Sequence, residues 1–168
     1  PPLAGVTQNE LRNGPTAPWE KTAGPPGIQT NVIFEANGIV YAGTEMQGVY
    51  KSTDNGSSWV PANVGIERAS ISDIIASGSN LLASAKSSCP VYLNVFKSTD
   101  NGATWSNTSG LDGSVVHSFV IKGTSVWATF AALPNNSGIA RSSDDGNTWQ
   151  IVPSIITNVG EAIVSDNA

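Results

Sequence analysis

Cleaving a glycosidic bond by direct attack of water needs two carboxylates about 6.5–9.5 Å apart. The sequence offers Asp73, paired with Glu67 or with Glu161, as the candidates; Glu45 and Asp112 are further carboxylates in segments that read as loops. Clamping an anion needs guanidinium groups, which bind carboxylates in bidentate fashion. Three arginines occur: Arg12 lies in an irregular opening stretch, Arg141 closes a short alternating run, and Arg68 is the one a loop can present. His117 is the only histidine and Cys89 the only cysteine. Far apart in sequence, they suggest neither a zinc ligand set nor a nucleophile–base pair. His117 reads as a partly buried, hydrogen-bonded residue at the start of a strand, and Cys89 as a packing residue or quiet loop thiol with no partner for an intrachain disulfide. Gly24-Pro25-Pro26-Gly27 is a rigid turn without the Lys and Ser/Thr of a phosphate loop. Tyr92, Tyr41 and Trp127 are of a type that stacks on sugar rings, although aromatics in strands ordinarily pack inside. The sequence therefore assigns no catalytic residue, no metal ligand and no cofactor.

The elements that must position these groups follow from composition. Of 168 residues only 12% are charged, while Ser, Thr and Asn together number 49 and Gly and Pro contribute 17 and 10. That mixture suits short strands and tight turns and suits solvated helices badly. Hydrophobic content of 39% is too high for a disordered chain. No run approaches the roughly 20 apolar residues of a membrane span. With a net charge of −5 and eight Lys and Arg, there is little to neutralise phosphates, which argues against nucleic acid as a partner.

Self-similarity then organises the whole chain. Ser52-Thr53-Asp54-Asn55-Gly56-Ser57-Ser58-Trp59 returns as Ser98-Thr99-Asp100-Asn101-Gly102-Ala103-Thr104-Trp105 and again as Ser142-Ser143-Asp144-Asp145-Gly146-Asn147-Thr148-Trp149. The steps are 46 and 44 residues, the length of one four-stranded propeller blade. Upstream of each box come three short apolar runs. The earliest, around Val32–Phe34, Ile74–Ala76 and Phe119–Ile121, is followed closely by Gly38, Gly78 or Gly123. Each unit reads as strand A, glycine turn, strand B, variable loop, strand C, box, and a strand D starting at the tryptophan.

The pattern Ser-x-Asp-x-Gly-x-Thr-Trp resembles the Asp box, or bacterial neuraminidase repeat, of sialidases, sortilin-type receptors, xyloglucan-active hydrolases and photosystem II assembly factor-like proteins. All are β-propellers. The resemblance covers roughly residues 28–152, with Ser58 standing where Thr is usual. It implies that Ser52, Asp54, Gly56 and Trp59, with Ser98, Asp100, Gly102, Thr104 and Trp105 and with Ser142, Asp144, Gly146, Thr148 and Trp149, are structural. They would close the turn between strands C and D, the aspartate accepting bonds from nearby N–H groups and hydroxyls. The B–C loops (43–47, 85–93, 130–137) and D–A loops (24–27, 64–70, 110–116, 156–160) then form the opposite, binding face. Its candidate residues are Glu45, Glu67, Arg68, Asp73, Tyr92, His117 and Glu161, with Lys86 and Asp112 beside them. The arginine cluster of a sialidase and its Phe/Tyr-Arg-Ile-Pro segment have no counterpart here.

The expected fold is all-β, an Asp-box β-propeller arc of about three four-stranded blades plus an orphan strand at each end. Residues 1–27 are an irregular segment carrying the outer strand of a preceding blade. Blades occupy 28–64, 65–110 and 111–154, and 155–168 supplies the first strand of a following blade. Three blades do not close a ring, so the sequence is expected to be a fragment of a longer propeller or one component of an assembled one. The expected function is a non-catalytic binding or scaffolding module; the alternative is part of a glycoside hydrolase, its catalytic groups shared with further blades. The expected partners are a protein or glycan ligand, together with further blades or a second chain that completes the ring. The resemblance also implies an extracytoplasmic location.

Overall fold

The structure, a computed structural model, describes residue 22 and residues 24–25, 27–86, 94–132 and 136–153. Arg12, Cys89, Tyr92, Glu161 and the orphan strands expected at either end lie outside the described residues. Within them the chain is all-β, and the twelve strands form three four-stranded antiparallel sheets. The first holds β1 (Thr30–Ala36), β2 (Ile39–Thr44), β3 (Val49–Ser52) and β4 (Val60–Pro61). The second holds β5 (Ser70–Ser77), β6 (Asn80–Lys86), β7 (Asn94–Ser98) and β8 (Ser106–Asn107). The third holds β9 (Ser114–Lys122), β10 (Ser125–Ala132), β11 (Asn136–Ser142) and β12 (Gln150–Val152). In every sheet the strands lie side by side in chain order, so all connections within a sheet are hairpins.

The local causes are visible in the residues. Asn37 and Gly38 stand at φ 55° and 76°, the left-handed pair a two-residue hairpin requires, and they bring Ala36 opposite Ile39. Period-two alternation then sorts the side chains. In the second sheet Leu81, Ala83 and Phe96 join a core with Tyr41, Val49 and Ile74, while Leu82 and Val95 join a second core with Phe119, Val126 and Phe130. The sheets therefore stack face to face, the second between the other two.

Each first strand carries one extra residue. The pairing register slips at Asn31 in β1, at Ser72 in β5 and at His117 in β9, a bulge at the same place in every sheet. Asn31 and Ser72 reach from it to the next sheet: Asn31 Nδ2 donates to Ile71 O at 3.1 Å and Ser72 Oγ to Val116 O at 3.1 Å.

Three expectations need correction. Strand D begins one residue after the tryptophan, because the peptide N–H at that point is directed elsewhere. Trp105 N donates to Val64 O and Trp149 N to Ser109 O, each at 2.9 Å, tying the box to the preceding sheet. The third B–C loop is shorter than 130–137, since pairing of β10 with β11 runs out to Ala132 and Asn136. The third D–A connection ends before 116 as well, with β9 already paired from Ser114.

The tie between sheets requires glycine. Gly65 has φ 98°, and a Cβ there would stand 2.5 Å from Trp105 O. Gly78 has φ 60° and open space around the same position. Gly65→Ala is therefore expected to cost about 1–3 kcal/mol, clearly more than Gly78→Ala. Urea denaturation of both variants checks the order; equal losses would show that the close approach to Trp105 is unimportant.

Candidate functional site

At one end of the sheets the three boxes repeat a single hydrogen-bonded turn. In the second, Ser98 Oγ donates to Asp100 Oδ1 at 2.8 Å and accepts from Gly102 N at 2.8 Å. Thr104 donates twice to Asp100, from N to Oδ1 at 2.9 Å and from Oγ1 to Oδ2 at 2.6 Å. The third box makes the same four bonds with Ser142, Asp144, Gly146 and Thr148. The first makes them with Ser52, Asp54, Gly56 and Ser58, whose hydroxyl replaces that of threonine at 2.6 Å. Asn55, Asn101 and Asp145 take φ near 55°, followed by Gly56, Gly102 and Gly146 at 80–85°.

These donors fix the charge of the carboxylates. The Ser58 hydroxyl and N–H hold Asp54 at about 2, and those of Thr104 hold Asp100 at about 2. At Asp144 burial pushes upward, but the bonds from Thr148 and Ser142 together leave it lowered. A carboxylate saturated in this way is a turn clamp, with no proton to give at neutral pH.

The indoles leave the box for the preceding sheet. Trp105 Nε1 donates to Ala62 O at 2.9 Å as well as to Gly102 O, and Trp149 Nε1 donates to Thr108 Oγ1 at 3.2 Å. Trp59 is half-buried, its Nε1 bonded to Gly56 O within its own box. Lysines answer from the other side: Lys51 Nζ donates to Asn101 O at 3.2 Å and Lys97 Nζ to Asn147 Oδ1 at 3.0 Å.

At the opposite end the loops bring Glu45, Glu67, Arg68, Lys86 and Asp112 to the surface, all exposed. Glu45 is held below its ordinary range by Asn31 Nδ2 at 2.9 Å and Ser70 Oγ at 3.1 Å, with Lys86 adding a smaller pull. The next residue, Met46, is 58% exposed at φ 59°. Its strained backbone is fixed by a bond from its N–H to Ser70 Oγ at 3.1 Å. Backbone bonds at Glu67 and Gly65 lower Glu67. Asp112 accepts from Asn94 Nδ2 at 3.1 Å and Gly110 N at 3.3 Å.

Two candidates on the first strands turn out differently. His117 is exposed, because it is the bulge residue of β9 and is pushed out of the ladder; the partly buried placement expected from sequence is corrected. Asp73 is half-buried and bonded across the sheets, accepting from Phe119 N at 2.8 Å and from Ile74 N at 2.9 Å. Burial raises it, and these N–H groups with the Ser118 hydroxyl offset part of the rise. Sequence reasoning missed Asn31, Ser70 and Asn94, the neutral donors that hold the acids. Aligning the three units column by column brings out the first as a bulge position. Among the described residues no three of His, Cys, Asp and Glu converge as a metal-ligand set.

No protein-family model and no curated protein matches the sequence. Solved structures do match it. An ancestral GH74 enzyme aligns at TM-score 0.58 and 18% identity over 74% of this chain and 18% of its own. The GH74 xyloglucanase from Xanthomonas campestris aligns at 0.55 and 20% identity over 71% of this chain and 19% of its own. YCF48 from Cyanidioschyzon merolae aligns at 0.55 and 17% identity over 78% of this chain and 39% of its own. The chain is an arc of a β-propeller. Its sheets are the blades, and the arc spans less than a fifth of either GH74 enzyme's length.

The acids of the arc carry opposite pH signs. Asp100 has a folded value of about 2 against an ordinary 3.8, so its contribution is present above about pH 4 and is lost as the pH falls through 2. Asp100→Asn is expected to lower the urea midpoint at pH 7, with the gap to the parent closing between about pH 4 and 2. Asp73, raised, contributes stability that is present below its ordinary value and is lost as pH rises past it. Asp73→Asn should therefore gain on the parent as pH climbs above about 4. Profiles parallel to the parent's in both variants would refute the assignment.

Proposed function

We propose that the chain is a non-catalytic recognition and scaffolding module whose protein or glycan ligand meets the loop end bearing Glu45, Glu67, Arg68 and Asp112. The observation that carries this reading is how the candidate acids are used. Asp73 is bonded to main-chain N–H groups of two blades, Asp112 to Asn94 and Gly110, and Glu45 to Asn31 and Ser70. Groups bound in this way hold loops in place on a rigid support, which is what a preorganised recognition surface needs. An extracytoplasmic location and a glycan or protein partner accord with that reading.

A second reading, a share in glycoside hydrolysis, is favoured by two observations: the fold likeness to GH74 enzymes and the upward shift of Asp73, the direction a general acid requires. Incubating the purified chain with xyloglucan and assaying new reducing ends separates the two. A binding module releases none, and a glycan array or pull-down then finds a ligand whose affinity drops at least about tenfold, or ~1.4 kcal/mol, in a Glu67→Ala, Arg68→Ala variant. Release of reducing ends that Asp73→Asn or Glu67→Gln abolishes would establish the hydrolase instead.

A further inference from the structure

Asparagine followed by glycine is a pair whose chemistry depends on its surroundings. The peptide nitrogen of the glycine can attack the asparagine Cγ, and the glycine has no side chain to stand in the way. Within the described residues Asn37, Asn55 and Asn101 are followed by Gly38, Gly56 and Gly102. All six are left-handed, the asparagines at φ 55°, 56° and 55° and the glycines at 76°, 85° and 80°. The local conformation is thus shared, and what differs is the setting of the glycine N–H.

In the boxes that N–H is buried and committed. Gly56 N donates to Ser52 Oγ and Gly102 N to Ser98 Oγ, each at 2.8 Å, while the same hydroxyls donate to Asp54 and Asp100. Both glycines are buried, and a Cβ on Gly102 would stand 3.3 Å from the Tyr41 ring. At the β1–β2 turn the N–H is in the open. Asn37 and Gly38 are exposed, and a Cβ on Gly38 would meet nothing within 4 Å. Gly38 N donates at 2.8 Å to Oε1 of Glu35, which is exposed as well. Water can take the place of that acceptor, whereas freeing a box glycine requires breaking a buried bond and opening the turn.

We propose that Asn37 is a site of spontaneous modification, converting to aspartate and isoaspartate, and that the boxes shield Asn55 and Asn101 from the same reaction. The Gly38 nitrogen loses its proton to solvent and bonds Cγ of Asn37. The Cγ–Nδ2 bond breaks, ammonia leaves and a succinimide ring closes. Water then opens the ring at either carbonyl, giving aspartate or a main chain that runs through the former side chain. Either product adds one negative charge to the chain's −5. The isoaspartyl product also lengthens the turn by a methylene, against the register that sets Ala36 opposite Ile39. The turn lies at the box end, where Ser77 at the close of β5 bonds Asp145 of the third box. The recognition loops lie at the other end and take no part.

Incubating the folded chain in mildly alkaline buffer, with peptide mapping by mass spectrometry over time, tests the assignment. Asn37 is expected to convert at least about tenfold faster than Asn55 or Asn101, its peptide splitting into an aspartate and an isoaspartate form. In denaturing urea, where the turns are lost, the three rates should converge. Ser98→Ala removes the acceptor of Gly102 N and should speed conversion at Asn101 while Asn55, in the same molecule, keeps its rate. Box asparagines that convert as fast as Asn37 in the folded chain, an Asn37 as inert as they are, or a rate order that urea leaves unchanged would each overturn the proposal. So would Asn55 and Asn101 accelerating together in Ser98→Ala, which would trace the shielding to global stability instead of the buried bond.

Discussion

The main-chain N–H groups of Trp105 and Trp149 each bond a carbonyl of the preceding blade, and most of the architecture follows from that contact. To bring the N–H there, the chain must reverse tightly after strand C, which the Ser–Asp–Thr turn accomplishes with four bonds and a residue pair in left-handed conformation. To receive it, the preceding D–A connection must come within hydrogen-bond distance of the Trp105 peptide, which leaves no room for a side chain at Gly65. With both peptides fixed, the indole can fall only between the sheets, and Trp105 and Trp149 are accordingly 6% and 4% exposed. The box is thus a joint between blades as much as a turn within one.

The opposite end inherits its rigidity from this joint. Because the blades cannot shift, short polar side chains suffice to hold the loops: Asn31 and Ser70 grip Glu45, and Asn94 grips Asp112. Glu45, lowered by its neutral donors, keeps its charge, and both acids keep one geometry. That suits them to presenting charge and hydrogen-bond acceptors to a partner.

Much of this was legible in the sequence because the causes are local. The turn at Gly38, the apolar run Val32–Phe34 and the three boxes each declare themselves within eight residues. What was not legible depends on neighbours far along the chain. The bulges at Asn31, Ser72 and His117 insert one residue into strands whose apolar runs are too short to betray it, so the sequence suggests a partly buried His117 where the structure exposes it. Asp73 looked like a free carboxylate, since its decisive donor, Phe119 N, is 46 positions away. The loop between β10 and β11 reads longer in sequence than it is because Ala131, Ala132 and Asn136 carry no strand signal of their own and extend the sheet by pairing alone.

The reach of the joints has a consequence for biosynthesis. Trp105 Nε1 finds its acceptor 43 residues upstream and Trp149 Nε1 finds one 41 residues upstream. The second and third units leaving a ribosome can therefore seat their tryptophans on a surface already translated, while groups such as Asp73 wait for the unit that follows. Folding can advance vectorially, one unit at a time, with the newest edge the only part left waiting.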